Sequence, residues 1–381
     1  MAAQDGVCLT IRRVSQGPQV TTDCTTMSPT SSNVAGAKRV KLTDVAREAG
    51  VHPGTASRAL NPATVNRVSP ETARRVLKVA HRLGYVPNTL ARGLRTSRSS
   101  VVAMLVPDIT NALFPPMVRG AEQMLSAGGY TLVLTDTDND PDTERRQVEQ
   151  LRARGTDGFI IATALWNDPL LEEIADHGVP AVLVNRNTGS RRLPYVGADE
   201  RTGIQLAVEH LTGLGHRRLA HLSGPSDTST GRERASAFRQ AVDGLGLPTG
   251  PGCIQVCTSY SEAAGVEATR ALLASGHDVT AIVCANDLIA LGALSVLAEA
   301  GIGCPDQMSV VGFNNMAMVD RLTPPLTTVE LPLHQIGELS ARLLLAEIEK
   351  GPHRQGAVQS LLGVQLAVRG TTARPPARSG R

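Results

Sequence analysis

Aromatic residues are scarce in this chain, at 2% of 381 residues with a single Trp. Its cores must therefore be built from Leu, Val, Ile and Ala. No apolar run approaches the ~20 residues that span a membrane, so no transmembrane helix and no membrane partner are expected. The N-terminus, MAAQDGVCLTIRRVSQ, lacks a continuous apolar stretch and predicts no secretory signal. Cysteines stand at 8, 24, 253, 257, 284 and 304 without any C-x-x-C pair. Cys253 and Cys257 lack a matching His/Cys pair, which argues against zinc. Free or buried thiols in a reducing cytoplasm are the expectation, and with them a cytoplasmic location. The G-x-S-x-G, Walker A, H-E-x-x-H and Rossmann signatures are also missing. His216 and His221 have no evident nucleophile partner. No catalytic residue, metal ligand or cofactor is expected, and an enzyme is the weaker reading.

What is present is an uneven charge. The net +3 conceals 13 Lys/Arg against three acids between Lys38 and Ser100, a local +10. Residues 1–37 balance to zero, so the remainder carries 3 − 10 = −7. A basic module on an acidic body is the footprint of a nucleic-acid binder. A solvated charged face is the plainer alternative. The length suggests two or three domains.

Residues 1–37, rich in Ser, Thr, Gln and Gly, read as a disordered leader. Three short helices fit within 38–86. LTDVAREAG places Leu42, Val45, Ala46 and Ala49 on one face, with Thr43 as N-cap and Gly50 at the left-handed C-terminal position. PGTASRALN follows. SPETARRVLKVAHRLGY begins with Ser69 as N-cap, Pro70 and Glu71, shows a stripe of Val76, Leu77, Ala80 and Leu83, and ends at Gly84. From Ser100 strand-like and helical runs alternate to about Arg369, as in VVAMLVPD, TLVLTDTD, GFIIAT and PAVLVNR with helices between. Repeated βα alternation means parallel sheets, and two doubly wound halves accommodate so many strands. Ligands in such sheets sit at strand carboxyl ends. Residues 371–381 read as a basic disordered tail, with no leucine heptad after Arg369.

The spacing of Ala46, Gly50 and Ala56 suits a helix-turn-helix: a small residue, a turn residue tolerating positive φ, then an inward apolar one. The stretch KLTDVAREAGVHPGTASRALN, with VSPETARRVLKVAHRLGYVPNTLARGLRTSRS, resembles the headpiece and hinge of the LacI/GalR (lac repressor) family. VPDITNALFPPMVRGAE, DGFII, HLTGLGHRRLAHLSGP, ANDLIALGALSVLAEAGI and SVVGFNN resemble its core, so the likeness covers about 41–369. It implies an all-α helix-turn-helix headpiece (38–86), a hinge helix and linker (87–99), and an α/β periplasmic-binding-protein-like core (100–370) of two doubly wound parallel-sheet subdomains. The first subdomain would take about 100–197 and 333–358, the second about 198–330 and 360–370.

The resemblance also implies roles. Thr55 and Ser57 would touch phosphates, Arg58 would read a base edge, and Asn61 would close the recognition helix. Ser69, at a helix N-terminus, suits a phosphate. PNTLARGLR would form a hinge helix capped by Asn88, with Leu94 wedged into a minor-groove step and Arg95 and Arg98 near phosphates. Effector candidates are Asp108, Phe114, Asn185, Arg232, Tyr260, Asn286, Asp287, Phe313 and Asn314, with Arg232 the foremost. Such side chains suit a polyhydroxylated ligand, although the aromatics serve equally as core and Asp287 as a helix cap. GFNN stands where many sugar-responsive members have GYDD or GFDD. Thr228 and Thr230 stand where purine-responsive members carry Arg and Thr, which argues against a purine. A sugar, sugar acid or sugar phosphate stays open. The implied partners are a double-stranded, pseudo-palindromic DNA operator, a carbohydrate effector and a second copy of the chain. A regulator answering to a protein co-regulator is the alternative.

Overall fold

The computed structural model describes residues 40–61, 64–85, 98–248, 252–276, 278–350 and 357–376. The chain forms two compact units, dividing between Pro87 and Asn88. In the first, α1 (Leu42–Glu48) and α2 (Pro53–Ala59) precede a 3-10 turn (Val65–Arg67) and α3 (Pro70–Leu83). Helix α1 starts two residues earlier than expected. Lys41, not Thr43, is its N-cap, because the Asp44 carboxylate reaches back to accept from the Lys41 amide at 3.0 Å. Gly50 takes φ 63°, which lets the chain reverse into α2. Val45, Ala46, Ala56, Ala73, Val76, Val79 and Ala80 make the small core. Leu77 is half exposed, and Val79 takes its expected place in the buried stripe of α3.

The second unit carries two six-stranded sheets. β1 (Val101–Val106), β2 (Thr131–Asp136), β3 (Gly158–Ile161), β4 (Ala181–Val184), β5 (Tyr195–Ala198) and β11 (Gln359–Leu362) form the first, in the order β11-β5-β4-β3-β1-β2. β6 (Leu219–Ser223), β7 (Ile254–Val256), β8 (Ala281–Cys284), β9 (Ser309–Asn314), β10 (Thr327–Glu330) and β12 (Gln365–Ala367) form the second, in the order β12-β10-β9-β8-β6-β7. Helices α4 (Phe114–Ala127), α5 (Pro141–Ala153), α6 (Pro169–Asp176), α7 (Glu200–Gly213), α8 (Ser229–Gly244), α9 (Glu262–Ala274), α10 (Asp287–Glu299) and α11 (Leu333–Lys350) connect them. Pairing is parallel except at the edge, where β12 runs antiparallel to β10. The central strands are unbroken apolar runs because both sheet faces are covered there, as in GFII and AIVC. α4 and α11 touch closely through Gly120 and Gly337. A Cβ on Gly337 would lie 1.9 Å from the Met117 carbonyl oxygen.

Two expectations shift. The final crossing between subdomains falls after Leu362, not near 359, because Gln359–Leu362 extends the first sheet beside β5. The tail does not begin at Thr371. That residue is fully buried, and its Oγ1 donates to the Val310 carbonyl at 2.7 Å and accepts from the Thr327 amide at 2.9 Å. Ala373 continues the attachment, its amide donating to Ser309 Oγ at 3.1 Å.

Candidate functional site

The headpiece presents α2. Pro53 occupies its first turn, where a missing N–H costs nothing, and His52 caps it: Nδ1 accepts from the Gly54 amide at 3.1 Å. Ala56 and Ala59 face inward, Thr55 and Ser57 are half-buried, and Arg58 is exposed in the last turn. Asn61 is half-buried after the helix, its carbonyl accepting from the Thr64 and Val65 amides. Ser69 caps α3, Oγ accepting from the Thr72 amide at 3.3 Å while remaining exposed. Arg75 ties α3 to α1 by donating from Nε to the Ala49 carbonyl at 3.0 Å. Asn88, Leu94 and Arg95 lie outside the described residues. Arg98 donates to the Ile348 carbonyl at 2.8 Å.

In the second unit the strand carboxyl ends of both sheets converge on one partly open cavity. Its free volume is about 20 Å³, a narrow space well below the roughly 300–1,000 Å³ of sites that enclose a drug-sized ligand. Of the expected effector residues, Phe114, Asn185, Tyr260, Asn286 and Asn314 line it. Asn185 follows β4 at φ 64° and Asn314 ends β9 at φ 112°. Such backbone is costly for a non-glycine residue and is held where a site needs it. Asn286 has a second task, capping α10 by accepting from the Ile289 amide at 2.8 Å. Tyr260 OH lies 2.7 Å from Thr230 Oγ1, and the ring enters the cavity only because residue 224 is glycine: a Cβ there would sit 2.3 Å from that hydroxyl.

Four expected residues lie elsewhere. Asp108 pins its own loop, accepting from the Thr110 amide at 2.8 Å and hydroxyl at 2.6 Å. Asp287 neither caps α10 nor faces the cavity. It is buried beneath it, accepting from the Met316 amide at 2.7 Å and the Thr328 hydroxyl at 2.5 Å, and burial pushes its carboxyl up to about 6. Phe313 is core, its ring under the Arg234 guanidinium with 3.9 Å from Cζ to the centroid. Arg232 lies outside the cavity in a neighbouring groove, stacked over Trp166 at 4.7 Å. The residue two positions on, Arg234, lines the cavity instead. Two helical steps rotate a side chain by ~200°, so the two arginines leave opposite faces of α8.

Sequence reading also missed Asn111, Leu113, Arg186 and Thr230. The strand-end rule that found Asn185 applies equally to its neighbour Arg186. The i, i+4 relation between Thr230 and Arg234 would have placed that arginine on the cavity face. Both arginines are buried. Arg234 is paired, Nε to Glu200 Oε2 at 2.5 Å, and also donates to the Ala285 carbonyl. Nearby, Glu144 accepts from the Thr163 hydroxyl at 2.5 Å, and burial pushes its carboxyl up to about 7.

Residues 41–88 match the model of bacterial regulatory proteins of the lacI family. Residues 99–363 match that of periplasmic binding proteins and the sugar-binding domain of the LacI family. The chain is 32% identical to the ribose operon repressor of Halalkalibacterium halodurans, covering 82% of this chain and 91% of the relative. It is also 32% identical to the transcriptional repressor CytR of Escherichia coli, covering 88% and 97%. Among solved structures, the lac repressor dimer bound to operator and the anti-inducer ONPF superposes with a TM-score of 0.76 at 28% identity, covering 88% of this chain and all of that one. The regulator CelR in complex with cellobiose gives 0.67 at 31% identity, covering 87% and all of that chain.

Proposed function

The chain belongs to the LacI family of bacterial regulatory proteins, and from that premise we propose that it is a homodimeric repressor whose hold on a pseudo-palindromic operator is set by a carbohydrate in the core cleft. That it is a DNA-binding transcriptional regulator and not an enzyme follows from the family. The observation that carries the rest is the cavity where Asn185, Arg234, Asn286 and Asn314 converge from both sheets, on one chain with a helix-turn-helix. Amide and guanidinium groups make paired hydrogen bonds to vicinal hydroxyls, and Phe114 and Tyr260 offer ring faces. Arg58, Thr55, Ser57, Asn61 and Ser69 would meet the major groove and its phosphates, and Asn88, Leu94 and Arg95 the minor groove.

Support for a second copy comes from the edge strand β2. Val133 is exposed on it, and Ile109, in the loop after β1, is exposed in an apolar groove lined also by Phe114, Val118 and Leu134. An exposed apolar edge is a surface that proteins cover. Two-fold pairing would present two recognition helices to two half-sites. Selection from a randomised duplex library with the full chain tests the reading. An inverted repeat should emerge, and at least one carbohydrate should change affinity for it. A single unrepeated half-site would remove the dimer, and indifference to every carbohydrate would favour a protein co-regulator.

A further inference from the structure

We propose that the cavity is built for an anionic carbohydrate, a sugar acid or monosaccharide phosphate, whose charged group is received by Arg186. The inference rests on the carbohydrate reading of the same cavity and narrows it. Arg186 is only 7% exposed and lines the cavity. Its Nε has no hydrogen-bond partner, and among the described residues no carboxylate reaches it at ion-pair distance. Tyr260 offers its ring face at 5.5 Å, an attraction too weak to offset the desolvation of a whole charge.

The charged groups around Arg186 do not supply the missing counter-charge. Arg234 adds to the positive field and already holds Glu200. Glu144 is engaged by the Thr163 hydroxyl and lies beyond ion-pair distance, and burial pushes its carboxyl up to about 7, so near pH 7 it carries only part of a charge. Asp227 acts from an exposed loop ahead of α8. The strand-end positions 185 and 314 carry amides, so neither contributes negative charge. Asn314 Oδ1 is also buried without a partner, an acceptor waiting for a hydroxyl. An unpaired buried guanidinium and an unpaired buried acceptor in one cavity are together complementary to a ligand with an anionic end and hydroxyls. A guanidinium fork matches a carboxylate or a phosphate in two parallel bonds.

Calorimetric titration of the full chain with matched sets tests this: glucose with glucuronate and glucose 6-phosphate, galactose with galacturonate and galactose 1-phosphate, ribose with ribose 5-phosphate. In at least one set a charged member should bind about tenfold or more tightly than its neutral parent. Which charged member wins separates carboxylate from phosphate. Arg186→Gln should erase that advantage, bringing the charged member to the affinity of its neutral parent. Because an uncompensated charge is being removed, ligand-free Arg186→Gln should melt no lower than the parent. A neutral parent that binds as tightly as its charged partners overturns the inference and leaves the carbohydrate reading standing. Binding of no carbohydrate, neutral or charged, overturns both. A sharp fall in the melting temperature of ligand-free Arg186→Gln, spared in Arg186→Lys, would show that the protein already satisfies this charge and would also overturn it.

Discussion

The Arg234 guanidinium and the Glu200 carboxylate are buried against each other, 2.5 Å apart, with side chains 3% and 1% exposed. Breaking such a pair from one side strands the other charge, which costs about 3–5 kcal/mol. Arg234→Met should therefore lower stability by that order in urea unfolding, and adding Glu200→Gln should restore part of it. Arg232→Ala removes an exposed stacking contact with Trp166 and should cost no more than about 1 kcal/mol. Equal losses for the two arginines would contradict the helix phase that separates them. Glu144 gives a pH signature. Its carboxyl titrates near 7 when folded against 4.5 when free, so the native state binds the extra proton between those values. Stability then falls as pH rises from about 4.5 to 7 and levels off above. Glu144→Gln should match the parent near pH 4 and exceed it at pH 8. A variant weaker than the parent at pH 8 would mean that the charged form is the one the fold favours.

At the scale of the element, α3 joins two demands on one side chain. Ser69 caps the helix, and its exposed hydroxyl also stands where a phosphate would lie. Aspartate caps as well as serine but repels phosphate. Ser69→Asp should keep headpiece stability and lose operator affinity, whereas Ser69→Ala should lose about 1 kcal/mol of stability. Undiminished DNA binding by Ser69→Asp would leave Ser69 a cap alone. On α2, Arg58→Ala should cost about 1–3 kcal/mol at one base pair. A loss spread evenly over all sequences would move Arg58 to the phosphates. Which elements exist was legible, because buried parallel strands are unbroken apolar runs and caps such as Ser69 and Gly84 stand at the helix ends. Less legible was the phase of polar helices. α8 reads STGRERASAF, and with arginines at alternate positions only the spacing of Thr230, Arg234 and Phe238 marks which one turns inward. Edge strands were also opaque. Gln359–Leu362 and Gln365–Ala367 are short and half-polar, and only pairing partners distant in sequence assign them to different sheets.

Across the whole molecule, the cleft and the DNA-reading helices can communicate only through a difference in affinity between two states of the chain. If carbohydrate binding weakens operator binding by some factor, operator binding must weaken carbohydrate binding by the same factor. The proposed link is the segment after Tyr85, outside the described residues, where the hinge helix expected from the sequence would be too short to hold itself without DNA. Leu94 is its expected wedge into a base step, where kinking costs a few kcal/mol and is offset by added contacts. Non-specific DNA offers no such step, and there the charge of the basic segment, +10 between Lys38 and Ser100, supplies the attraction. Leu94→Ala should then lower operator affinity far more than non-specific affinity, leave the steep salt dependence in place, and shrink the reciprocal coupling factor toward one. Fluorescence anisotropy with operator and scrambled duplexes, each with and without the carbohydrate, measures all three together. Equal losses on both duplexes, or an undiminished coupling factor, would remove the wedge from the mechanism and place the communication elsewhere in the chain.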